Sequence, residues 1–99
     1  YNMNENVFIT EERVKKYISI TLQARKKATP NKLNKVDLER LRSMMRMCDD
    51  YYSDAKYFLK KGDLVRAFGA INYSHAWIDA TVRIGLMDGH GDDALFTLP

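Results

Sequence analysis

Apolar side chains recur every three or four residues in three stretches of this chain. The spacing predicts three helices, over about residues 10–28, 35–61 and 64–86. The second of these carries a regular seam made of Leu38, Leu41, Met45, Cys48, Tyr52, Ala55 and Leu59. Beside the seam lies a second row, made of Met44, Tyr51 and Phe58. The apolar face therefore spans about half the circumference of the helix, which predicts packing against two partners.

Residues that cap or break helices bound all three stretches. Thr10 precedes two glutamates, so its hydroxyl can accept from a free backbone N–H while the carboxylates meet the positive end of the helix dipole. Pro30 prevents the first helix from continuing, and Asn34 is placed to cap the second. Gly62 and Asp63 predict a tight turn, because glycine ends one helix and the carboxylate caps the next.

Three helices joined by short links predict an all-α fold, an antiparallel up-down-up three-helix bundle. We expect one domain over residues 1–99, with a flexible lead-in at 1–9 and an acidic, glycine-rich turn followed by an apolar tail at 87–99. The tail should fold back onto the end of the bundle, because an exposed apolar segment would favour aggregation. Its apolar residues are Leu95, Phe96 and Leu98.

Composition narrows the class of protein further. The chain has 99 residues, of which 45% are hydrophobic, and Cys48 is its single cysteine. A lone thiol at a core position is typical of a reducing compartment, so a cytoplasmic location is predicted. No stretch has the roughly 18 to 20 consecutive apolar residues that a membrane helix needs. We therefore expect no membrane association.

Charge is distributed unevenly between the two halves. Residues 1–46 carry eleven Lys and Arg against five Asp and Glu, whereas residues 47–99 carry five against eight. The basic patch comprises Arg25, Lys26, Lys27, Lys32 and Lys35. Such a patch can bind nucleic acid, but in this topology Asp88, Asp92 and Asp93 are also expected to approach it and neutralise it. Both readings stay open at this point.

The third helix places polar residues within an otherwise apolar pattern. Asn72, His75, Asp79 and Arg83 follow one another at intervals of three or four residues along one side. The favoured reading is structural: His75 bonds to Asp79 or to a tyrosine of the second helix, and Asp79 pairs with Arg83. A metal site or a general-base histidine is the alternative, but further ligands and a nucleophile motif are missing. No metal and no cofactor are predicted.

A second apolar row runs along the other flank of the third helix and includes Tyr73, Trp77 and Ile84. Either the first two helices bury this row, or it is exposed to a protein partner or a second copy of the chain. Burial is slightly favoured.

The run from Tyr51 to Leu98 resembles a small archaeal family of uncharacterised helical proteins, the domain-of-unknown-function (DUF) family 357. The resemblance rests on Asp54-Ala55, Gly62-Asp63, Arg66-Ala67-Phe68, Asn72-Tyr73, His75, Trp77, Asp79-Ala80, Arg83, Gly85-Leu86 and Leu95-Phe96. It implies a spectrin-repeat-like three-helix bundle and an archaeal source, with no assigned activity. The first half of the chain fits only as amphipathic helices.

These observations predict a non-enzymatic protein–protein interaction module or assembly subunit, with a protein partner or a homodimer. The alternatives are a hydrolase or ribonuclease that uses the polar residues of the third helix, or nucleic-acid binding through the basic patch. The burial of those polar side chains distinguishes the enzyme from the interaction module, since catalytic side chains must reach solvent.

Overall fold

A computed structural model describes residues 6–99 of the chain. Helix α1 runs over Glu11–Lys27, α2 over Lys35–Lys60 and α3 over Leu64–Arg83. The three helices pack against one another in antiparallel order, which confirms the predicted all-α three-helix bundle. None of the helices within the described residues is both long enough and apolar enough to cross a membrane.

The predicted caps begin all three helices. Thr10, Asn34 and Asp63 each accept, through a side-chain oxygen, from the backbone N–H three residues later, at 3.1, 2.8 and 3.0 Å. Each bond satisfies one of the N–H groups that have no partner inside the helix. Gly62 adopts φ +76°, which allows α2 to end and α3 to begin within one tight turn.

Helix α3 ends at Arg83, three residues before the predicted position. Gly85 takes φ +82°, and two backbone bonds close the helix end: Gly85 N–H to the Val82 carbonyl at 3.1 Å and Leu86 N–H to the Thr81 carbonyl at 2.9 Å. This is the Schellman arrangement, in which a glycine with positive φ satisfies the last free carbonyls. Leu86 is consequently buried beyond the helix instead of within it.

A two-stranded antiparallel ladder, which the sequence pattern did not predict, joins the segment after α1 to the segment after α3. Strand β1, Thr29–Pro30, pairs with β2, Met87–Asp88. Asn31 extends the link, since its backbone N–H donates to the Leu86 carbonyl at 3.0 Å and its side chain to the Gly85 carbonyl at 2.9 Å. The connection between α1 and α2 is thereby fixed to the segment that follows α3.

Helix α1 covers one side of the α2–α3 hairpin. Tyr17 meets Phe68 of α3 edge to face at 5.5 Å, and the Arg25 guanidinium donates to Asp49 of α2 at 2.9 Å. The tail closes one end of the core, where Phe96 is only 4% exposed, as predicted. Among the described residues, no helix covers the opposite side of the hairpin.

Candidate functional sites

His75 lies between α1 and the tail, and both of its ring nitrogens are engaged. The Thr21 hydroxyl is 3.0 Å from Nδ1, and Nε2 is 2.9 Å from the Leu95 carbonyl oxygen. Because a carbonyl can only accept, Nε2 carries the proton, and in the neutral ring Nδ1 accepts from the Thr21 hydroxyl. The partners expected from the sequence, Asp79 or a tyrosine of α2, were wrong.

Asp79 and Arg83 also bind the tail. The Asp79 carboxylate accepts from the Thr97 backbone N–H at 2.6 Å and from the Thr97 hydroxyl at 2.9 Å. The Arg83 guanidinium donates to the Leu98 carbonyl. The predicted Asp79–Arg83 ion pair does not form, because each side chain is taken by a different residue of the tail.

Together, three side chains spaced one turn apart on α3 form a tail clasp, which comprises His75, Asp79 and Arg83 and holds residues 95–98. The bonds of Asp79 and Arg83 are charge-assisted and therefore stronger than neutral ones, so the clasp orders the tail along the helix.

Asn72 stands apart from the clasp. It is exposed and borders an open groove of about 410 Å³ between α1, α3 and the tail. Tyr17, Thr21 and His75 line the same groove, whereas Asp79 and Arg83 do not. The four polar residues therefore do not converge on one point. Within residues 6–99, no three His, Cys, Asp or Glu side chains are grouped closely enough to hold a metal ion.

The open side of the hairpin carries a half-exposed apolar surface, here called the aromatic face. It comprises Met44, Tyr51, Tyr73, Trp77 and Ile84. Tyr73 meets Tyr51 at 4.5 Å and Trp77 at 5.9 Å, in both cases edge to face. Tyr73 is 46% exposed and Ile84 63% exposed, so the flank that was slightly favoured as buried is only partly covered.

Trp77 occupies the middle of this face and packs partly against the core. Its indole N–H is buried and has no acceptor among the described residues. A buried donor without a partner costs about 1–3 kcal/mol, so it marks a place where the isolated chain is not fully satisfied.

The basic patch is only partly neutralised. Arg25 makes a two-pronged bond to Asp49, at 2.9 and 3.2 Å, and this bond raises the pKa of Arg25. Lys27 lies 3.8 Å from Asp92, which is the approach expected between the acidic turn and the patch. Elsewhere that expectation was wrong: Asp88 instead accepts from the His90 backbone N–H at 2.7 Å.

Two residues of the clasp region were missed by sequence reasoning. Thr21 recurs at helical spacing with the apolar residues of α1, yet its hydroxyl, in a residue only 1% exposed, bonds to His75. A hydroxyl at a core position is itself a signal, since a buried polar group needs a partner. Thr97 offered no comparable signal, because its bond to Asp79 joins residues 18 positions apart.

Residues 16–87 match a family described as Protein of unknown function (DUF357). The chain belongs to this family. The DUF357 match begins inside α1 and ends in β2, so it covers most of α1 and all of α2 and α3. The match confirms the family resemblance seen in the sequence, which rested on Tyr51–Leu98; the match begins earlier, within α1, and ends earlier, at residue 87. The tail held by the clasp lies outside the match. No curated protein and no solved structure matches the chain.

Proposed function

We propose that this DUF357 protein is a non-enzymatic interaction module whose aromatic face binds the same face of a second copy. One observation carries the proposal: the polar residues suited to chemistry are occupied by the chain's own tail, whereas the aromatic face is left half-exposed. Polar groups already bonded within the fold are poorly placed for catalysis. Exposed aromatic clusters, in contrast, are typical of binding surfaces.

The composition of the aromatic face supports protein binding. Tyrosine, tryptophan and methionine are enriched at the centres of protein interfaces, and charged residues are depleted there. From Tyr73 to Ile84 along α3 the face runs about 16 Å, and two adjacent helices make it about 20 Å wide. An area of roughly 330 Å² is in the range of functional patches on small proteins.

A second copy is the simplest occupant, because twofold pairing needs only one surface patch that is complementary to itself. Pairing would also enclose Tyr73 and Ile84, which the isolated chain leaves in solvent. The buried thiol of Cys48 supports a cytoplasmic location for the assembly, and the family resemblance supports an archaeal source.

The test combines solution mass by light scattering with the emission of Trp77, the sole tryptophan, over a dilution series. We expect a dimer whose emission moves to longer wavelength on dissociation, because solvent then reaches the face. Ile84→Lys should lower the dimer affinity at least tenfold, since it places a charge at a desolvated interface. Val65→Lys is the matched control, because Val65 is 72% exposed on α3 and lies off the face.

Two results would contradict the proposal. One is a monomer at every concentration, with emission that dilution does not change. The other is a dimer that Ile84→Lys and Val65→Lys weaken equally, since that dimer would use another surface.

A further inference from the structure

A line of basic residues follows the exposed side of α2 near its beginning. At 100° per residue, Lys35, Arg42 and Arg46 lie within about 40° of one another around the helix axis. They extend over roughly 16 Å along that axis. All three are exposed. Lys35 is also the first residue of α2, where the helix dipole adds positive potential.

Two further lysines lie beside this line. Lys26 follows Arg25, which bonds to Asp49. Because Asp49 lies one turn after Arg46, this bond places the end of α1 next to the line of basic residues on α2. Lys32 lies in the connection that leads to α2 and is exposed. We call the set the basic ridge; it comprises Lys26, Lys32, Lys35, Arg42 and Arg46.

The fold leaves the basic ridge without internal counter-charges. Among the residues that the structure describes, the ion pairs at this end are Arg25–Asp49, Lys27–Asp92 and Arg40–Asp37. None of these pairs includes a member of the ridge. Two acids share this side of α2 over residues 35–53: Asp49 is already paired with Arg25, and Glu39 neutralises only a fraction of five positive charges. The ridge therefore presents unpaired positive charge to solvent, where a polyanion can displace the small counterions.

The side chains that lie beside the cations of the ridge indicate which kind of polyanion it can bind. Over residues 35–53, which include the whole ridge on α2, the positions that share this side of the helix are all polar, namely Lys35, Glu39, Arg42, Arg46, Asp49 and Ser53. Adsorption to an anionic membrane uses apolar side chains that insert beside the cations, and binding of single strands uses stacked aromatic rings. The ridge offers neither. A straight line of cations matches the regular phosphate charges of a duplex.

We propose that the basic ridge binds the phosphate backbone of double-stranded nucleic acid without reading its sequence. The ridge lies on the side of α2 away from the aromatic face, so this contact does not depend on how that face is covered. With about four phosphates neutralised per protomer, the slope of log affinity against log salt should be about −3.6. Affinity should then fall about 10²-fold between 50 and 200 mM salt.

The experiment measures the fluorescence anisotropy of a labelled 20-base-pair DNA duplex at 50 and 200 mM salt. Arg42→Glu with Arg46→Glu removes two contacts and should halve the slope, to about −1.8. Lys16→Glu with Lys61→Glu changes the net charge equally but off the ridge. Lys61 lies about 22 Å from Arg46, beyond the screening length of about 10 Å, and Lys16 lies on the side of α1 opposite Arg25, so this control should leave the slope near −3.6.

Three results would overturn the proposal. No binding at 50 mM salt would do so, and so would equal losses in the two charge-reversal variants, which would indicate general attraction without a defined surface. Binding to vesicles of anionic lipid but not to the duplex would assign the ridge to a membrane surface. Circular dichroism melting of both variants verifies that folding is unchanged, which is expected because all four substituted side chains are exposed.

Discussion

Replacing His75 with alanine tests whether this residue is a structural link between α1, α3 and the tail. The substitution removes two hydrogen bonds, of which the one to the Leu95 carbonyl contributes about 1 kcal/mol. It also leaves the buried Thr21 hydroxyl without a partner, at about 1–3 kcal/mol, whereas the partly exposed Leu95 carbonyl can bond to water. The free energy of unfolding should therefore fall by about 2–4 kcal/mol. For a domain of this size, that corresponds to a Tm about 10–20 °C lower.

The assay is thermal and urea unfolding followed by circular dichroism, with two partial variants that separate the bonds of His75. His75→Asn can keep an acceptor near the position of Nδ1 for Thr21. His75→Gln can keep a donor near the position of Nε2 for Leu95. Both should fall between the native chain and His75→Ala, and Asn72→Ala, one turn earlier and exposed, should change stability by less than about 0.5 kcal/mol.

The reasoning is refuted if His75→Ala unfolds within about 0.5 kcal/mol of the native chain, because two bonds and a buried hydroxyl could not then depend on the ring. A loss in Asn72→Ala equal to that in His75→Ala would likewise refute it, since the effect would then belong to the helix rather than to the imidazole.

Three further predictions concern the packing around the tail and the core. A Cβ added at Gly89 would lie 2.8 Å from Phe96 Cδ2 and 3.0 Å from Val82 Cγ1. Gly89→Ala should therefore displace Phe96 and cost about 1–3 kcal/mol in urea unfolding; an unchanged midpoint would contradict this packing. Burial raises the pKa of the Cys48 thiol, so a disulfide reagent should label it only at the rate of unfolding, and rapid labelling of the native chain would contradict its enclosure. Because the unfolded thiol ionises first, its contribution to stability should be constant below about pH 8.5 and decline above it.

The starts of the helices were predictable because the signals are local. Thr10, Asn34 and Asp63 bond to amides only three residues away, so the sequence alone contains both partners of each cap. Gly62 is a similar case, since a positive φ is nearly free for glycine. These short-range rules, together with the apolar period, were enough to predict the bundle.

The end of α3 and the strand pairing were less predictable. Leu86 continues the apolar period of α3, yet the period cannot distinguish a helical leucine from one buried just past a Schellman turn at Gly85. The pairing of Thr29–Pro30 with Met87–Asp88 involves two residues on each side, too few for a period of two to be recognised.

The partners of His75 were not predictable for a different reason. Thr21 is 54 residues away in sequence and Leu95 is 20 residues away, so both contacts depend on how α1 and the tail pack on α3. The helical spacing placed His75, Asp79 and Arg83 on one side correctly, but spacing describes only one helix at a time. Asp79 or a tyrosine of α2 was therefore expected to bond to His75, whereas α1 and the tail supplied its partners.

The tail clasp has a consequence for which sequences this segment can accept. His75 and Arg83 bind carbonyl oxygens of the main chain, and Asp79 binds a main-chain N–H together with the Thr97 hydroxyl. Main-chain atoms are common to nearly all residues, so the clasp fixes the path of the segment and, apart from Thr97, does not itself select the side chains. The core selects them instead: Phe96 is buried, and Leu95 and Leu98 pack partly against the core. A library randomised over 94–98 should therefore retain an aromatic residue at 96 and apolar residues at 95 and 98, while position 94 diversifies.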